Sequence, residues 1–216
     1  MRKLFYLLLL ILTVVSGINC NFIQYKYTYT DNVSSIPLIM KRYIPIYIDK
    51  EFSSNDKLSI DNAISQWNYV LNGQIELKVV NYQFDMEPDL ILESRTNQGW
   101  LILKVNSDNS TIPDDLPYQQ CLRTAGCAPT LAWCDRVGGS VMKIVRDRMG
   151  SSNVETITLH EVGHLLSLTH VDDINSLMYL RYNKLRYLCI DATSAMKVAT
   201  NYNLDTKAIN YCLNKY

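Results

Sequence analysis

Apolar residues recur along the chain at two spacings, and the change from one spacing to the other marks the predicted elements. Alternation typical of strands covers residues 42–52, 74–82, 88–94 and 99–105, and residues 130–148 have the pattern of two strands joined at Gly138–Gly139. Helical spacing appears after the first strand, with Ser54 or Asn55 as the expected N-terminal cap and Gly73 as the expected end. Helical spacing returns near His160 and, more weakly, over 191–202 and 205–212. This order predicts a single α/β (α+β) domain with one mixed, twisted sheet.

The N-terminal segment has the pattern of a secretory signal. Two basic residues precede an apolar run of about a dozen residues, which ends in small residues. We expect a signal peptide over 1–17, with cleavage as late as residue 20, a short polar leader over 18–40 and the domain over 41–216. The run is shorter than the roughly 20 residues that span a bilayer, and no second long apolar stretch follows. We therefore expect a secreted monomer without a stable membrane span; lipid anchoring through Cys20 is the weaker alternative.

Composition narrows the classes of partner. Charged residues make up 19% of the chain and the formal net charge is zero, so nucleic acid is not an expected partner. Most cysteines of an exported chain are expected to pair in disulfides, with buried thiols as the alternative, and a Cys189–Cys212 bridge would tie down the C-terminal tail. Acidic residues over 106–120 could hold calcium, but they lack the spacing of a calcium loop, and we expect a solvated loop there.

All three histidines of the chain lie in one short stretch, "HEVGHLLSLTH". His160 and His164 are four residues apart, so on a helix they share a face and can both reach one zinc ion at about 2.0–2.1 Å. Glu161 can reach a water on the metal without becoming a ligand, as a general base requires. Histidines with ordinary hydrogen bonds are the alternative, but this apolar helix would then bury three polar side chains without purpose.

The third ligand is not settled by the helix alone. Catalytic zinc takes three protein ligands. No glutamate follows Glu161, so the third ligand cannot be a downstream glutamate. The acidic pair Asp172–Asp173 stays open, whereas His170 lies at the spacing of H-E-x-x-H-x-x-G-x-x-H. A continued helix would carry His170 roughly 9 Å past His164. The helix must therefore end near Leu166, and the chain must reverse.

These residues resemble the metzincin metallopeptidases, and among them most nearly the matrixins. "HEVGHLLSLTH" matches their zinc-binding consensus except at Ser167, and "SLMY" resembles the Met-turn, with Met178 as its methionine. Upstream, "IDNAISQW" resembles the first helix of the family and "TLAWCDR" its substrate-binding edge strand. The resemblance covers about residues 41–205 and is strong over 158–180.

The resemblance implies a zinc endopeptidase with a metzincin-like domain that holds an active-site helix, a Met-turn and a C-terminal helix. One catalytic Zn²⁺ would be bound by His160, His164 and His170, with Glu161 as the catalytic base. A protein or peptide substrate would lie antiparallel to the edge strand, which comprises Thr130, Leu131, Ala132, Trp133 and Cys134. The alternative is a catalytically silent module that binds a protein partner at this strand.

Ser167 stands where the family carries a turn glycine. The glycine implies a left-handed backbone, which costs a residue with a Cβ roughly 1–2 kcal/mol. No glycine follows Gly163, so no neighbour can take over the turn. We therefore expect Ser167 itself to be left-handed.

Overall fold

One mixed five-stranded sheet and three α-helices organise the described part of the chain. The computed structural model describes residues 43–81, 99–108, 112, 130–134, 138–149, 154–179 and 189–211, all within one compact unit. The strands are β1 (Tyr43–Ile48), β2 (Glu76–Asn81), β3 (Trp100–Val105), β4 (Ala132–Cys134) and β5 (Val141–Val145). The helices are α1 (Ser54–Leu71), α2 (Val154–Leu165) and α3 (Ala192–Asn201), with 3-10 turns at Arg146–Arg148 and Thr206–Ala208. The predicted α/β class is confirmed.

The sheet has the strand order β2-β1-β3-β5-β4. The pairs β1–β2, β1–β3 and β3–β5 are parallel, and β4–β5 is antiparallel, as the hairpin signal at Gly138–Gly139 predicts. Parallel neighbours need crossover connections, whereas the antiparallel pair needs only a short link. Strand β4 forms one edge of the sheet and is its one antiparallel strand among those described.

Helices α1 and α2 pack against each other and share the main hydrophobic core with the sheet. Trp67, at the centre of the apolar face of α1, is fully buried. Its indole N–H donates a hydrogen bond of 3.0 Å to the carbonyl oxygen of Leu159 on α2. Because a buried indole must find an acceptor, this bond fixes the position of α2 relative to α1 one residue before His160.

The ends of α1 differ slightly from the prediction. Ser53, rather than Ser54 or Asn55, is the N-terminal cap: its backbone is extended and its side chain accepts a hydrogen bond from the N–H of Asp56. At the other end Asn72 takes the left-handed conformation, and Gly73 follows with a positive φ. Asparagine enters this region more readily than most residues, so Asn72 caps the helix one residue before the predicted glycine.

The C-terminal region confirms one predicted helix and corrects another. The pattern over 191–202 corresponds to α3, which Asp191 caps by accepting from the N–H of Ser194. The helix expected over 205–212 is instead the 3-10 turn Thr206–Ala208. There the N–H of Asn210 donates to Val70 in the last turn of α1, so the backbone bonds across the fold rather than along a helix.

Several predictions fall on residues outside those described. They concern the signal and leader over 1–40, the strand over 88–94, most of the loop over 106–120, and Cys212. Cys189 is disulfide-bonded, whereas Cys134 carries a buried, reduced thiol. The pairing of Cys189 with Cys212 stays a prediction. Among the described residues, no helix combines the length and apolarity needed to cross a membrane.

Candidate metal centre

Helix α2 and the segment after it bring the three histidines together. The Nε2 atom of His170 lies 3.2 Å from Nε2 of His160 and 3.1 Å from Nε2 of His164. Two ligands of a tetrahedral zinc ion with bonds of 2.0–2.1 Å are expected about 3.3 Å apart. The arrangement therefore fits a zinc ion bound through three Nε2 atoms, and within the described residues it is the one group of three potential metal ligands.

Hydrogen bonds on the far side of two rings direct these nitrogens inward. Nδ1 of His160 is 2.7 Å from the carbonyl oxygen of Leu177, and Nδ1 of His164 is 2.8 Å from that of Leu168. A carbonyl oxygen only accepts, so each Nδ1 carries the ring proton and donates it. The Nε2 atoms of His160 and His164 then carry no proton, and each directs a lone pair towards the other rings. A metal cation placed between the rings would accept these lone pairs.

Burial keeps two of these imidazoles neutral. It lowers the pKa of His164 to about 4 and that of His170 to about 3, where the nearby His164 adds to the effect of burial. Metal ligation requires the unprotonated nitrogen. Both side chains are therefore available as ligands at neutral pH.

The turn to His170 is made where the sequence predicts it. Helix α2 ends at Leu165, and Ser167 has a φ of 64°, so the expected left-handed residue is confirmed. The N–H of Ser167 donates to His164 and that of Leu168 donates to Gly163, which is the hydrogen-bond pattern of a Schellman motif. The hydroxyl of Ser167 also lies 2.8 Å from that of Tyr202, just beyond α3.

Met178 lies directly against the active-site helix. A Cβ built on Gly163 would come within 2.5 Å of the Met178 sulfur, so only glycine allows this approach. The N–H of Val171 donates to the carbonyl oxygen of Met178, which joins the segment after His170 to the Met-turn. The turn thus supports the histidines from below through packing and through the Leu177 carbonyl on His160.

Asp191 attaches the Met-turn to α3. Its carboxylate accepts from the N–H of Leu177 at 2.8 Å and from the hydroxyl of Ser176 at 3.2 Å, while it also caps the helix at Ser194. The pattern over 191–202 predicts the helix, but it contains no signal for this contact with the Met-turn.

Glu161 is buried beside the histidines, with 2% of its surface exposed. Burial raises its pKa to about 8, and a hydrogen bond from the Cys134 thiol opposes the rise. A nearby metal cation favours the ionised form of a carboxyl group, so a zinc ion at the histidines would offset the burial. The buried carboxyl group of Glu161 therefore also fits a cation bound at the histidines.

The predicted edge strand lies at the sheet edge. Strand β4 pairs with β5, and no second described strand pairs with it. The strand is shorter than expected: Thr130 and Leu131 precede it, although the carbonyl oxygen of Leu131 still accepts from Val145 of β5. The alternative ligands Asp172 and Asp173 are exposed and lie outside the histidine group.

Comparison with known proteins agrees with this geometry. The sheet, the active-site helix and the histidine group are those of a metzincin-like domain. The model of the matrixin family matches residues 106–192, which include β4, β5, α2 and the Met-turn, and the resemblance to the matrixins is thereby confirmed. The match covers less than half of the chain and supports a zinc metallopeptidase-like function. No curated protein matches the chain.

Proposed function

We propose that this protein is a secreted, zinc-dependent endopeptidase. The observation that carries the proposal is the convergence of three Nε2 atoms beside a buried glutamate. The matrixin match over the same residues supports the same class of enzyme. Secretion rests on the N-terminal pattern over 1–17, with the catalytic domain over 41–216.

The residues of the site divide the work. His160, His164 and His170 hold the metal through their Nε2 atoms, and burial keeps the rings of His164 and His170 neutral by lowering their pKa. A bound zinc would supply positive charge at the scissile carbonyl and lower the pKa of a water molecule towards 7. Glu161 takes the proton of the attacking water and passes it to the leaving amine, since its carboxylate lies next to the histidines without being a metal ligand itself.

The substrate binds at the edge of the sheet. An extended peptide pairs its backbone with the outer edge of β4, antiparallel to it, and side-chain pockets add preference. Trp133 on this strand lies under the ammonium of Lys143, 5.5 Å from the ring centre. This contact fixes the indole against β5.

The test is a digest of a fluorogenic peptide library by the purified mature chain, with and without a zinc chelator. Glu161→Ala should keep its zinc and lose activity by several orders of magnitude, because the base is removed while the ligands stay. Glu155→Ala on the same helix is the matched control and should remain active. Near-normal turnover in zinc-loaded Glu161→Ala contradicts the mechanism, and peptide binding without cleavage by the parent indicates the silent binding module.

A further inference from the structure

The buried thiol of Cys134 contacts the carboxylate of Glu161. Cys134 is the last residue of β4, with 2% of its surface exposed. Its Sγ lies 3.3 Å from Oε2 of Glu161 and 3.4 Å from the backbone oxygen of the same residue. Both distances are within hydrogen-bonding range for a sulfur donor, and the carboxylate is the stronger acceptor because it can carry the charge.

We propose that Cys134 is a positioning residue for the general base: its thiol donates to Oε2 of Glu161 and leaves Oε1 to receive the proton of the attacking water. The inference rests on the proposed function, since it assigns Cys134 a role through Glu161. Cys134 itself exchanges no proton with the substrate.

A hydrogen-bond donor such as this thiol keeps the carboxylate of a general base in one orientation. The terminal torsion of its side chain is broad, so an unheld carboxylate samples many orientations. Among the described residues, the Cys134 thiol is the group that donates a hydrogen bond to this carboxylate. Holding one oxygen restricts the rotation and presents the other, which lowers the entropic cost of reaching the reactive geometry.

The position of Cys134 in the sheet gives this contact a second consequence. Cys134 pairs with Met142 in the antiparallel register of β4 and β5, so the thiol is fixed by a strand rather than by a loop. The same strand provides the proposed peptide-binding edge. A shift of β4 would therefore disturb substrate alignment and the base together.

Serine and alanine at position 134 separate positioning from packing. Serine is nearly isosteric with cysteine and keeps a donor on its γ atom, whereas alanine loses both the γ atom and the donor. We expect Cys134→Ala to lower kcat about fivefold at unchanged KM and zinc content, the loss of one modest hydrogen bond. Cys134→Ser should recover part of that loss. A Cys134→Ser variant that is no more active than Cys134→Ala would overturn the inference, because the retained donor would then contribute nothing to the position of the carboxylate.

Two further measurements link the effect to Glu161. In a Glu161→Ala background, Cys134→Ala should cause no additional loss of kcat, because the residues act as one unit; a full fivefold loss there contradicts the inference. The infrared S–H stretch gives a readout without catalysis, obtained as the difference between the parent and Cys134→Ala spectra. It should lie at lower frequency in the parent than in Glu161→Ala, and equal frequencies would refute the contact. An inactive parent with the shifted band overturns the proposed function while leaving the contact between thiol and carboxylate established.

Discussion

Replacing Ser167 by glycine tests how this chain makes the turn before His170 without the glycine of the matrixin motif that it resembles. Judged from the backbone alone, Ser167→Gly should stabilise the zinc-loaded protein by about 1 kcal/mol, since φ is 64° and glycine adopts it without strain. The structure adds an opposing effect. The serine hydroxyl bonds to the Tyr202 hydroxyl at 2.8 Å, a contact that glycine cannot make.

Removal of the serine hydroxyl leaves the hydroxyl of the partly buried Tyr202 without this partner. Such a loss costs about 1–3 kcal/mol, which equals or exceeds the relief of strain. We therefore expect Ser167→Gly to be neutral or to destabilise the parent by up to about 2 kcal/mol. In a Tyr202→Phe background the hydroxyl pair is already absent, so the same substitution should stabilise by about 1 kcal/mol.

The assay is thermal unfolding of the four zinc-loaded proteins, together with the rate of zinc loss to a chelator. For a chain of this length, 1 kcal/mol corresponds to a Tm change of about 2–4 °C. Asn203→Gly is the matched control, because Asn203 is also left-handed, with a φ of 51°, but follows α3 rather than α2, which carries His160 and His164. Its zinc loss should equal that of the parent. An equal Tm rise for Ser167→Gly in both backgrounds would show that the Tyr202 bond contributes nothing, and an equal fall would show that position 167 is not left-handed in solution.

Three further predictions concern the metal, the base and the disulfide. His170→Ala should lose zinc by metal analysis, and an unchanged zinc content would remove His170 from the site. In the absence of zinc, Glu161→Gln should have a free energy of unfolding about 3 kcal/mol higher than the parent at pH 7 but not at pH 4. The pKa of Glu161 is raised from 4.5 to about 8, so the parent loses stability as pH rises through that window and the glutamine variant does not. Equal denaturant midpoints at pH 7 would contradict this, and zinc should reduce the difference between the two proteins. Peptide mapping without reductant should recover Cys189 joined to Cys212, and an unmodified thiol at Cys212 would refute that pairing.

The local parts of the site could be predicted from the sequence, because they depend on spacing along one helix. His160 and His164 share a helix face through their separation of four residues, and the bend needed for His170 follows from the length of a helix. The left-handed backbone of Ser167 is confirmed for the same reason. These features are set by backbone geometry within about ten residues.

The supporting contacts could not be predicted, because they join residues that are distant in sequence. Cys134 meets Glu161 across 27 positions and Ser167 meets Tyr202 across 35. Each contact depends on how helices pack on the sheet, which periodicity does not specify. The 3-10 turn in place of the helix over 205–212 has the same origin, since tertiary hydrogen bonds to the end of α1 override a weak local preference.

Helix α3 supports the candidate metal centre from both of its ends. At its N-terminus Asp191 holds the N–H of Leu177, whose carbonyl orients His160. Just beyond its C-terminus Tyr202 holds Ser167, the residue before the carbonyl that orients His164. The matrixin match ends at residue 192, so it includes the first support and stops before the second. The bond that Tyr202 makes is available only because a serine replaces the turn glycine, and it offsets the strain that the serine introduces. The departure from the family motif and its compensation therefore belong to one structural unit, and Ser167 and Tyr202 should be substituted together rather than singly.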